Sequence, residues 1–146
     1  MEKEDRILIP LDGSECAEMV IPKVQELVVG KKTGICLLRV VSAPVFPGVD
    51  PTEAQVRVVR EAEEYLQGLK DRLESKGLDV DTHVRYGDGV EEILDHAAQK
   101  EIDMVAMSTH GHRGVKRFLL GSVAEKVIRQ TPKPVFLVRC DGKAQA

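Results

Sequence analysis

Short, almost wholly apolar runs separated by stretches of helical periodicity constrain this fold more than any other feature. The runs are Ile7–Leu11, Ile35–Val41, Ile102–Met107 and Val135–Val138. Each is rich in Ile, Val or Leu with little polar alternation, the mark of strands covered on both faces, as in a parallel sheet. A further segment alternates Val80, Thr82, Val84 and Tyr86 with Asp81, His83 and Arg85. One of its faces is wetter, which places it at a sheet edge.

Helical stripes fill the gaps. Ala17, Val20, Ile21, Val24, Leu27 and Val28 form one, closed by Gly30 as a C-terminal cap. Pro22 falls inside it and predicts a kink, because it removes a hydrogen bond to Glu18. A longer stripe carries Val56, Val59, Ala62, Leu66, Leu69 and Leu73 and stops near Gly77. A third carries Val90, Ile93, Leu94, Ala97 and Ala98. A fourth begins near Ser122 with Val123, Ala124, Val127 and Ile128, and ends before Pro132. Strands and helices thus alternate. Right-handed crossovers then give an α/β fold, a doubly wound, Rossmann-like, five-stranded parallel sheet with helices on both faces.

The 146 residues read as a single domain, 1–146, with Asp141–Ala146 as a frayed tail. Aromatics make up only 3% and Trp is absent, so the core is aliphatic. The connection Ser42–Thr52, with its prolines and the apolar Val45 and Phe46, reads as a crossover loop or a lid. A net charge of −3 gives no general attraction to nucleic acid or anionic membranes. Cys16, Cys36 and Cys140 lack metal-binding spacing and are expected to be reduced thiols in a cytoplasmic protein. The charged start MEKEDR runs straight into a strand, and no apolar run reaches the length of a membrane span.

Sheets of this kind bind ligands beyond the carboxyl ends of the strands, where the strand order reverses. Two polar clusters fall there: Pro10-Leu11-Asp12-Gly13-Ser14 and Met107-Ser108-Thr109-His110-Gly111. The segment from Met107 to Ser122 packs three glycines, several hydroxyls and basic side chains between a strand and a helix. Such a loop can wrap backbone N–H groups around an anion and aim a helix N-terminus at it. The sequence contains no G-x-x-x-x-G-K-[ST], and no G-x-G-x-x-G follows the first strand. These absences argue against a P-loop NTPase and a dinucleotide dehydrogenase.

At these residues the chain resembles the universal stress protein family over nearly its whole length. The first strand ends Ile9-Pro10-Leu11-Asp12-Gly13-Ser14, close to the family's opening turn. The hallmark of nucleotide-binding members is a glycine, two residues, a second glycine, nine residues, then Gly-Ser or Gly-Thr. Here the second glycine is Gly111, nine residues run from His112 to Leu120, and Gly121-Ser122 follow. Ser108 stands where the first glycine belongs. A serine's Cβ disfavours positive φ, whereas its hydroxyl can donate to a phosphate oxygen. The resemblance implies ATP as ligand, with Mg²⁺ carried on its phosphates. It places Pro10, Leu11, Asp12, Val40 and Met107 at the adenosine. It places Ser108, Gly111, His112, Arg113, Gly121, Ser122 and Val123 at the phosphates.

Each of these residues also has an ordinary role. Asp12 can cap the first helix, Val40 can be core, Gly111 a turn glycine and Ser122 an N-cap. Arg113, Lys116 and Arg117 suit phosphate charge or a solvated loop equally. His110 and His112 lack further ligands, His83 and His96 read as surface residues, and no metal site is expected. Cys16 sits early in a helix whose dipole can lower its pKa. The apolar strand Val135 to Val138 at a sheet edge, like the resemblance, implies a homodimer formed through it. Three functions stay open: an ATP-binding regulatory or stress-response protein, a slow ATPase or self-phosphorylating protein, and a dimeric interaction module without nucleotide. No general base for phosphate chemistry stands out.

Overall fold

A computed structural model describes residues 5–110 and 119–140. The elements run β1 (Asp5–Leu11), α1 (Glu15–Glu18), α2 (Val20–Val28), β2 (Thr33–Val41), α3 (Pro51–Glu74), β3 (Val80–Tyr86), α4 (Gly89–Ala97), β4 (Met104–His110), α5 (Leu119–Gln130) and β5 (Val135–Cys140). The strands form one five-stranded sheet in the order β3-β2-β1-β4-β5, parallel throughout. The fold class expected from the sequence is the one observed. Right-handed crossovers place α1, α2 and α3 on one face and α4 and α5 on the other.

Burial explains why the central strands carry no polar alternation. Ile7, Leu8, Ile9 and Leu11 of β1 and Ile35 through Leu38 of β2 are all buried, with helices above and below. Each such aliphatic side chain contributes about 1.5–3 kcal/mol by leaving water. The edge strand β3, by contrast, buries only Val80 fully.

Several boundaries differ from the sequence reading, each for a local reason. Ile102 is buried but precedes β4, because its N–H closes a turn onto Gln99 O and Asp103 N–H bonds to Arg6 O. The first helix breaks outright at Met19, whose N–H bonds to Cys16 O in a tighter turn. Pro22 has no N–H to return to Glu18 O, so the α-helical ladder cannot run continuously through that turn. The loop after β2 ends sooner than expected. Asp50 Oδ1 accepts from Thr52 N–H and Pro51 takes the first helical position, so α3 begins there. α5 starts at Leu119, three residues ahead of Ser122.

The β1–β4 pairing is the feature that positions the site. β1 stays in register with β2 from Asp5↔Thr33 to Leu11↔Arg39, but pairs with β4 only at Ile7↔Met104 and Leu8↔Val105. Pro10 follows two residues on, and its ring nitrogen offers no proton to a ladder. Beyond Leu8 the two strands part, and a crevice opens at the carboxyl end of the sheet.

Candidate functional site

The floor of the crevice is the turn after β1. Ser14 donates to Asp12 Oδ1 from both its N–H, at 2.9 Å, and its hydroxyl, at 2.6 Å. Ser14 Oγ in turn accepts from Ala17 N–H at 3.1 Å, capping α1. Ser14 is therefore the N-cap, and Asp12 steadies it. Gly13 makes this turn with φ +87°, and a Cβ there would meet Arg39 Nη1 at 2.7 Å. A larger residue is strained by that backbone angle, and the end of the Arg39 side chain would have to move aside.

Pro10, Leu11 and Asp12 line a cleft of about 210 Å³, joined from β2 by Leu38, Val40 and Val41. Ile93 of α4 and Val123 of α5 close it, with Ser42, Gly87 and Gly89 at its edge. The lining is mostly apolar with a few polar groups, as in sites that hold a small organic molecule. Gly87 donates its N–H to Val41 O at 3.0 Å, tying the β3–α4 turn to the end of β2. Ser42, Gly87, Gly89 and Ile93 were not singled out by sequence. The Gly87-Asp88-Gly89 turn ahead of a helix was the available signal, but its place beside the end of β2 depends on the crossover.

α5 begins beside this cleft. Leu119 to Ser122 make up its first turn, at the end of the helix that carries the positive partial charge. Val123, the next residue, touches the cleft, so the positive end of α5 lies beside it. Ser122 is exposed and is the fourth helical residue, which corrects the expectation that it is the N-cap.

Met107 and Ser108 are placed differently from the sequence reading. Both lie within β4, fully buried, opposite Leu137 and Val138. Ser108 Oγ donates to Ala17 O at 3.3 Å, so its hydroxyl serves helix packing instead of a phosphate. Its backbone is extended strand, and no described non-glycine residue has positive φ. The steric objection to serine at this position therefore disappears. Of the other expected ligand contacts, Gly111, His112 and Arg113 lie outside the described residues, as do Lys116 and Arg117.

A second hollow, of about 400 Å³, lies on the opposite face of the sheet against α3. It shares Asp12, Val40, Val41 and Ser42 with the first and adds Arg39, Glu61 and Tyr65. The Arg39 guanidinium lies 5.6 Å from the Tyr65 ring centre. Tyr65 Oη donates to Glu18 Oε2 at 2.5 Å; burial, with Glu18 beside it, raises the phenol's pKa.

The Cys16 and Cys36 thiols are not activated. Cys16 and Cys36 are both buried, and burial above all pushes each pKa up to about 12. The lowered pKa expected of Cys16 at a helix start is overridden by that desolvation and by neighbouring Cys140.

His96 is buried, 4% exposed, which corrects its reading as a surface residue. Arg85 Nε donates to His96 Nδ1 at 2.9 Å. Burial first, then the charges of His83 and Arg85, lowers its pKa from 6.5 to about 4. As pH falls, the unfolded chain takes up this proton before the folded one. His96 therefore contributes stability above its unfolded pKa that is lost as pH drops from 6.5 to about 4. The expected loss from this residue is about 3 kcal/mol. Urea unfolding across that window should show His96→Gln less pH-dependent than wild type by this amount; parallel pH profiles would contradict the assignment.

Comparison with known proteins agrees with this architecture. The sequence model of the Universal stress protein family matches residues 4–139. The chain is 30% identical to universal stress protein MJ0577 of Methanocaldococcus jannaschii, over 92% of this chain and 94% of that protein. It superposes on the solved structure of MJ0577 with a TM-score of 0.81 and 31% identity, covering 97% of this chain and 99% of that one. The fold is shared with a universal stress protein in complex with cAMP, with a TM-score of 0.61, 19% identity and coverage of 96% and 100%. It is also shared with the Arabidopsis thaliana family member At3g01520 with AMP bound, with a TM-score of 0.70, 13% identity and coverage of 97% and 95%. With the family match spanning most of the sequence and the MJ0577 likeness at both levels, the chain belongs to the universal stress protein family.

Proposed function

We propose that this protein is an ATP-binding regulatory protein of the stress response, cytoplasmic and homodimeric. The observation that carries the reading is the parting of β1 and β4 beyond Leu8↔Val105. It leaves an apolar cleft beside the N-terminus of α5. The adenine and ribose lie against Pro10, Leu11, Asp12 and Val40. The start of α5, at Gly121, Ser122 and Val123, meets the phosphates, with Gly111, His112 and Arg113 in the preceding loop. Mg²⁺ rides on the phosphate oxygens, keeping waters as it commonly does. The AMP and cAMP held by the two more distant structures support an adenine nucleotide as the ligand class.

Binding, not turnover, is the proposed activity. Among the described residues lining the cleft, Asp12 is the one titratable group, and Ser14 already holds one of its oxygens. No helix among the described residues is long and apolar enough to cross a membrane. The dimer forms through β5, an edge strand on which Leu137 is 43% exposed.

Titration calorimetry with Mg-ATP and Mg-GTP, paired with phosphate-release measurements over hours, tests the reading. Saturable ATP binding at one site per chain, preference over GTP and negligible phosphate release are expected. No heat with either nucleotide would leave a dimeric module without ligand, and rapid release would make the protein an ATPase.

A further inference from the structure

The fold gathers three soft ligands that sequence spacing conceals. Cys36 on β2, His83 on β3 and His96 on α4 each present one ligand atom, and these atoms all lie within 4.8 Å of one another. We infer that Cys36, His83 and His96 form a binding site for a borderline-soft divalent transition ion, zinc(II) being the fitting example. The site is separate from the nucleotide cleft and does not depend on it.

Geometry supports it first. Cys36 Sγ lies 3.5 Å from His96 Nε2. Tetrahedral zinc, with bonds of about 2.3 Å to sulfur and 2.0–2.1 Å to nitrogen, sets S and N roughly 3.6 Å apart. That pair is already at binding separation. His83, the exposed member on the edge strand β3, closes the remaining gap of about 1 Å. Its exposure is also the entry path. A water completes four-coordination.

The surroundings fit a cation. The His83 and His96 ring centres lie 4.6 Å apart, so the two imidazoles already converge. Asp81 Oδ2 lies 3.1 Å from His83 Nε2, a carboxylate steadying a histidine ligand in the usual manner. Asp81 is itself held by Arg6 through Oδ1 at 2.6 Å. Glu101 and Glu92 add negative charge nearby, against Arg6 and Arg85. Burial keeps His96 neutral at pH 7, with a nitrogen lone pair to offer.

Proton balance is simple. In the metal-free state Arg85 Nε–H donates to His96 Nδ1, so the ring proton sits on Nε2, facing Cys36 Sγ. Metal binding shifts that proton to Nδ1 and expels the Cys36 thiol proton, one proton released per ion. Arg85 must then give up Nδ1. Glu92 Oε1, already accepting from Arg85 Nη1 at 3.2 Å, is where the guanidinium retracts.

The test uses the full chain with Co²⁺ alone as spectroscopic probe, then Zn²⁺ in competition. At one equivalent, Co²⁺ should give a thiolate charge-transfer band and the strong visible bands of a tetrahedral site, both displaced by Zn²⁺. Cys36→Ala should abolish the thiolate band. His83→Ala, at an exposed position, should weaken binding at least about tenfold. Zinc affinity should rise about tenfold per pH unit, matching one released proton. A thiolate band that survives Cys36→Ala would assign the ion to Cys16 or Cys140 and overturn the site. Absence of any thiolate band, or unchanged affinity in His83→Ala, would overturn it as well.

Discussion

Gly121→Val is expected to weaken Mg-ATP binding by about a hundredfold or more, roughly 3 kcal/mol, while leaving the fold intact. Gly121 is the third residue of α5, in the turn at the positive end of the helix. In the proposed complex the phosphates lie at the start of α5, where a branched side chain at 121 is expected to crowd them. Valine costs the helix nothing, since it is a better helix former than glycine. Calorimetry reads the affinity, and circular dichroism melting reads the fold. Wild-type affinity in a well-folded Gly121→Val protein would remove the phosphates from the start of α5.

Leu137→Glu is expected to turn a dimer into a monomer at micromolar concentration. β5 is an edge strand of apolar composition, and Val135, Phe136 and Val138 are only half-buried. Such edges pair with another chain unless charge blocks them. In the proposed dimer, pairing of the β5 strands buries residue 137 of each chain, so the new carboxylates are placed in a desolvated interface. Because Leu137 is 43% exposed within one chain, the substitution spares the core. Light scattering of both proteins decides the matter. A monomeric wild type, or a variant that stays dimeric, would contradict this interface.

The sheet was legible because burial on both faces erases polar alternation. Ile7–Leu11 and Ile35–Val41 read as central strands for that reason, and the alternation around His83 read as an edge. The cleft residues Pro10, Leu11, Asp12, Val40 and Val123 were legible as strand-end and helix-start positions. Side-chain direction was not. Ser108 looked like a phosphate contact until its hydroxyl was found turned toward Ala17 O. Nor did linear spacing show that residues 36, 83 and 96 converge, because adjacency across parallel strands depends on register, here Cys36↔Asp81 and Leu38↔His83. Gly87 and Gly89 escaped notice for the same reason: the crossover brings their turn to the end of β2, far away in sequence.

A crystal structure grown with Mg-ATP in excess addresses the site most directly. Adenine and ribose are expected between Pro10, Asp12 and Val40, with the phosphates on the backbone at the start of α5. A nucleotide bound elsewhere, or a cleft filled by the protein's own side chains at saturating ATP, would contradict the assignment.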